Sequence, residues 1–157
     1  MSMVPMTIKG KQKLEDELKQ LKAFERPKVI QEIATARAHG DLSENAEYDA
    51  AKNKQSFMEG RIKELEDKLA RSQVVDPREI RTDKIVFGAT IEVKDADSEE
   101  VKTFQIVGVD EVDVKAGRLS IESPVVRQLL NKTAGDVVTV KVPKGDIEYE
   151  IISVKYE

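Results

Sequence analysis

The sequence predicts a two-part architecture of class α + (α+β): a long antiparallel coiled-coil helical hairpin, then a small α+β domain with mostly antiparallel sheet. Three observations predict it. Seam residues recur at helical steps on both sides of a short polar break, at Leu14, Leu18, Leu21, Val29, Ile33 and Ala36 before it and Tyr48, Ala51, Gln55, Met58, Ile62, Leu65 and Leu69 after it. The two seams mirror each other, so that Leu14 faces Leu69, Leu18 faces Leu65, Leu21 faces Ile62 and Ala36 faces Tyr48, with the fold-back at Asp41 and Leu42. Beyond Val75 the period shifts to short β-branched runs separated by turn residues. The expected boundaries are residues 1–75 for the hairpin, 76–83 for a linker and 84–157 for the globular domain.

Thr7 is placed to cap the first helix, although Gly10 weakens its opening turn. Pro27 then falls inside the helical pattern, where it removes a backbone donor and crowds the preceding turn. The seam steps by four at Leu21, Glu25, Val29 and Ile33, so a kink or local overwinding is expected there and not a break. Gly40 suits the C-terminal end of the helix. Asp41 or Ser43 can cap the second helix, which should run to about Ser72, roughly 29 residues or about 43 Å at 1.5 Å per residue. Strands are expected over residues 84–93, 101–109, 118–121, 137–142 and 147–154. Ser123 followed by Pro124 opens a short helix to about Leu130.

Composition narrows the function. The 157 residues are 36% charged and only 4% aromatic, with no Trp, which disfavours a large aromatic-lined cleft. Cysteine is absent, excluding a disulfide framework and a thiolate zinc site. No apolar run has the length of a signal peptide or membrane span, so a cytoplasmic protein without membrane contact is expected. Residues 1–75 carry 14 basic and 13 acidic side chains, a balance of +1; residues 76–157 carry 12 and 17, a balance of −5. Neither half is a polycation, so avid unaided binding to duplex nucleic acid is not expected.

The break itself, HGDLSENAEY at 39–48, gathers three carboxylates, Asp41, Glu44 and Glu47, at the end of a rod. Helix capping and dipole complementation explain one or two of them. The alternative is an incomplete metal site. Magnesium is usually held by one or two carboxylates plus waters and phosphates, so two tip carboxylates can complete a site inside another macromolecule. Alone they are not expected to bind the ion tightly. Ser43 is a cap or a water-orienting hydroxyl. His39 has no neighbouring His or Cys and reads as a loop residue. Tyr48 reads as the last seam layer, and Glu47 as an electrostatic neighbour.

The motif GDLSENAEY at 40–48, preceded by RPKVIQEIATARAHG, resembles the Gre family of bacterial transcript cleavage factors. PMTIKGKQKLEDEL, EGRIKELEDKL, VFGATIEV and IVGVDEVDVKAGRLSIESPVVRQLLNKTAGD extend the resemblance over nearly the whole chain. It implies a transcription elongation factor whose hairpin enters the secondary channel of bacterial RNA polymerase. There Asp41 and Glu44 would help hold a second, shared Mg ion and orient water. The polymerase's own endonucleolytic cleavage of backtracked nascent RNA would be stimulated, so the protein is a cofactor of that activity and not itself an enzyme. Arg37 and Lys52 match basic positions that the resemblance associates with the RNA 3′ end. Ser43 and Tyr48 would support the tip. The C-terminal domain would be FKBP-like and dock near the channel rim. DNA binding travels with the resemblance, and the free protein is expected to be a monomer.

The alternative within this architecture is a channel inhibitor that does not stimulate cleavage. A peptidyl-prolyl isomerase is suggested by the second domain, but Phe87, Phe104, Tyr149 and Tyr156 are a poor supply for a proline pocket. A chaperone hairpin should present apolar tips, and this one is acidic.

Overall fold

The computed structural model describes residues 2–40 and 45–157. They form two compact units: Lys11–Ser72 with Ser2, and Met3–Gly10 with Gln73–Glu157. Residues 3–10 thus group with the globular unit, whereas the sequence pattern counted them with the hairpin.

Helix α1 (Ile8–Gln20), which belongs to the first unit from Lys11, runs through a π-helical turn (Leu21–Glu25) into α2 (Arg26–Arg37), and α3 (Ala46–Ala70) returns alongside. The seam forms as the spacing predicts. Val29, Ile33, Ala51, Met58 and Ile62 are buried together, with Leu18, Leu21 and Tyr48 packed against them, and Leu65 is fully buried. Interhelical ion pairs fix the antiparallel register: Arg26 grips both carboxylate oxygens of Glu59 at 2.8 Å, and Lys54 reaches Glu32 at 3.1 Å. Arg61 holds Glu17 in the same two-pronged way, at 2.8 and 2.9 Å.

The irregularity at Pro27 differs in sign from the expectation. The helix is underwound, not overwound. The Arg26 amide donates to the Leu21 carbonyl five residues back, so the wide turn lies just ahead of the proline. Four-residue seam steps exceed the 3.6 residues of an α-turn, and a wider turn absorbs that excess while keeping the seam inward.

The hydrogen bonds from Arg61 hold the Glu17 carboxyl below its ordinary pKa of 4.5, and those from Arg26 do the same for Glu59. A depressed folded-state pKa gives stability that is present above the unfolded value and lost as pH falls through the folded one. The hairpin should therefore melt at progressively lower temperature as pH drops from about 5 towards 3. Circular-dichroism melts should show a shallower pH dependence in Arg61→Gln, and a weaker one in high salt because these pairs are partly exposed.

The second unit begins with β1 (Val4–Thr7), which pairs with β2 (Ser72–Val75) in a two-stranded sheet that the sequence pattern missed. A five-stranded sheet follows, built from β3 (Thr90–Asp95), β4 (Val101–Val107), β5 (Arg118–Ser120), β6 (Val137–Val142) and β7 (Gly145–Lys155), in the order β5-β4-β3-β7-β6. All pairings are antiparallel except β4 with β5. Helix α4 (Pro124–Leu129) starts at Ser123 as expected, but without a side-chain cap bond. The core gathers Ile85, Ile91, Val93, Ile106, Leu129, Val140, Tyr149 and Ile151.

The strand expected from residue 84 starts only at Thr90. Gly88 sits at φ +93° in a turn closed by the Ala89 amide on the Val86 carbonyl, and Ile85 instead bonds to Lys132 and Asn131. Thr7 does cap α1, accepting the Gly10 amide at 3.1 Å. It is also tied to Glu111, a buried carboxylate that accepts the amides of Thr7 at 3.0 Å and Gly108 at 3.1 Å and the Thr7 hydroxyl. Gly10 is the cost of that arrangement. A Cβ there would overlap the Glu111 carboxyl, so the residue that weakens the helix start makes room for the clamp.

Candidate functional site

Helix α2 closes at its end with the Ala38, His39 and Gly40 amides on the carbonyls of Ala34, Ala36 and Arg37. Gly40, at φ +100°, lies two residues past the cap residue Ala38. Asn45 then opens α3. Its Oδ1 accepts the Tyr48 amide at 3.0 Å, and its Nδ2 donates to the Ala36 carbonyl at 2.7 Å. One side chain thus caps the returning helix and satisfies a terminal carbonyl of the outgoing one.

This corrects the expected capping. The N-cap of α3 is Asn45, not Asp41 or Ser43, and the helix spans 25 residues, roughly 37 Å at 1.5 Å per residue. The signal was present in the sequence, since Asn is among the best N-cap residues and directly precedes the helical run. What hid it was the choice among three cap-competent residues, Asp41, Ser43 and Asn45, within five positions. Asn45→Ala should lower the hairpin's stability by about 1–2 kcal/mol, through the lost cap and the orphaned carbonyl. Chemical denaturation followed by helical circular dichroism checks this.

Asp41, Ser43 and Glu44 lie outside the described residues, as does Leu42. The Arg37 guanidinium stands 5.9 Å from the centroid of the Tyr48 ring, within cation–π reach, so two of the candidate residues meet across the hairpin. Tyr48 also packs against the seam cluster, as its spacing predicts. His39 Nε2 faces Glu47 Oε2 at 3.6 Å, which places both in a polar pair flanking the break. Lys52 donates to Gln55 along its own helix at 3.1 Å. Glu47 also lines a shallow groove between α2 and α3 with Lys28, Thr35, Ala50 and Lys54. Among the described residues no group of three His, Cys, Asp or Glu side chains is gathered to hold a metal ion. Nor is any described helix long and apolar enough to cross a membrane.

Arg37 over Tyr48 sets a fixed cation beside the break. The Asn45 bridge holds the two helix ends at one spacing. The break is therefore flanked by a braced base with positive charge at its edge.

Known proteins match the chain throughout. It is 54% identical over 157 residues to the transcription elongation factor GreA of Alkalilimnicola ehrlichii, covering 99% of both sequences. It is 57% identical over 154 residues to GreA of Trichlorobacter lovleyi, covering 98% of each. A solved GreA factor homologue of Thermus thermophilus is 27% identical, with 97% of this chain and 98% of that one covered at a TM-score of 0.44. These descriptions lend no support to DNA binding. Residues 4–74 match the family described as "Transcription elongation factor, N-terminal" and residues 80–156 the one described as "Transcription elongation factor, GreA/GreB, C-term". The chain belongs to the GreA/GreB family of transcription elongation factors.

Proposed function

We propose that this chain is a transcript cleavage factor whose hairpin enters the secondary channel of bacterial RNA polymerase and delivers Asp41 and Glu44 to the active centre. The observation that carries the reading is a seam-packed hairpin whose one break is short, polar and acidic, and whose base is braced by Asn45 and by Arg37 over Tyr48. A rod of this kind is built to place a few side chains at a distance.

The donor set at the tip is all carboxylate oxygen, which suits magnesium and leaves coordination positions for waters and phosphate. Magnesium, when bound, would lower the pKa of an attacking water and neutralise developing charge on the phosphodiester. Asp41 and Glu44 would each lend oxygens to that site, which is shared with the polymerase. The Arg37 guanidinium and the Lys52 ammonium would meet the phosphates of the displaced RNA 3′ end. Ser43 and Tyr48 would support the tip. The chain is then no enzyme by itself; the activity belongs to the complex.

The test is a stalled elongation complex carrying a 5′-labelled transcript and magnesium. Addition of the protein should shorten the transcript and let elongation resume. Slowed elongation with an uncut transcript would instead assign the channel-inhibitor role.

A further inference from the structure

Two of the four phenylalanines are solvent-facing on the hairpin: Phe57 is 82% exposed and Phe24 62%. Their placement is matched. Phe57 falls between Lys54 and Arg61 on α3, and Phe24 falls between Glu32 and Glu17 on the opposing strand of the hairpin. Those four residues form the interhelical pairs Lys54–Glu32 and Arg61–Glu17, so each phenylalanine lies in sequence between residues of the same two bridges. One turn from Phe57 lies Gly60, in the interior of α3. A Cβ there would meet nothing within 4 Å, and its φ lies outside the range that favours glycine. Neither packing nor backbone geometry in the free protein calls for a glycine, which is a poor helix former. With Ser56, Phe57, Arg61 and Glu64 it frames a shallow hollow of about 400 Å³.

We propose that this hollow is a grip point on the hairpin, where Phe57 and the bare backbone at Gly60 receive an apolar side chain from the wall of the polymerase channel. This rests on the channel-insertion reading. Covering the Phe57 ring would bury roughly 150–250 Å². A stable pair of proteins needs about 800 Å² on each side, so the patch cannot hold a second copy of this chain by itself. Its occupant must already hold the hairpin elsewhere, and the host of the tip does. Phe57 lies twelve residues along α3 from Asn45, roughly 18 Å at 1.5 Å per residue, so a wall that surrounds the inserted rod would reach it. Large aromatics at the centre of a contact carry a disproportionate share of binding energy.

Binding to RNA polymerase, measured by competition against a fluorescently labelled wild-type protein, separates the alternatives. Phe57→Ala should weaken affinity about tenfold or more, with a circular-dichroism melt no lower than the wild type's. Gly60→Ala should move the two readouts apart: the hairpin melts higher because alanine favours the helix, yet polymerase binds it more weakly because the methyl fills the hollow. Wild-type affinity in both variants would overturn the grip point while leaving channel insertion intact. Absence of polymerase binding by the wild type would overturn both.

Discussion

Alanine at Asp41 or Glu44 is expected to reduce RNA cleavage in stalled complexes by roughly 100-fold or more, the scale of losing a group that orients a reacting water. Polymerase binding should stay near the wild-type level. The competing account makes these carboxylates helix caps, and the structure supplies a way to separate the two. The N-cap of α3 is already Asn45, whose Oδ1 takes the Tyr48 amide. Asp41→Asn makes the distinction sharpest. A neutral amide caps a helix about as well as a carboxylate but is a far weaker ligand for magnesium. Under the shared-metal reading Asp41→Asn fails in cleavage as badly as Asp41→Ala, and its melting curve matches the wild type. Normal cleavage by Asp41→Asn would sink the metal role for that residue.

The second large effect concerns stability. Glu111→Ala should cost the globular unit about 3–5 kcal/mol in urea denaturation, because the Thr7 and Gly108 amides and the Thr7 hydroxyl lose their buried acceptor together. Glu111→Gln should fall between, since it keeps one acceptor oxygen and turns an amide N–H₂ towards donors. Thr7→Val combined with Glu111→Ala should cost less than the two single changes added, as expected for members of one hydrogen-bonded cluster. Hydrogen exchange should report the same event locally, with amides of residues 4–10 losing protection first. A loss below about 1 kcal/mol for Glu111→Ala would mean that water replaces the carboxylate at little cost.

The hairpin and its buried seam were legible in the sequence because burial along one face of a helix repeats every three to four residues. Val29, Ile33, Ala51, Met58 and Ile62 pack together as that spacing predicts. Strand β6 was equally plain, its alternation over 137–142 matching the observed span. The polar break and its carboxylates also stood out, and so did the family that they resemble. What the sequence left undetermined was held by contacts that repeat nowhere. Asn45 competed with Asp41 and Ser43 for one cap, and only the approach of the Ala36 carbonyl favours the residue whose amide can serve both helices. Pro27 announced an irregularity, but its underwound sense depended on which carbonyl the Arg26 amide could reach. The pairing of β1 with β2 and the clamp of Glu111 on Thr7, 104 residues away, carry no periodic signal at all. A single buried hydrogen bond constrains two residue types at two unrelated positions, and many other pairs would satisfy the same chemistry. Periodic burial is written locally and redundantly, whereas a lone long-range bond is specified only when the folded chain brings its two ends together.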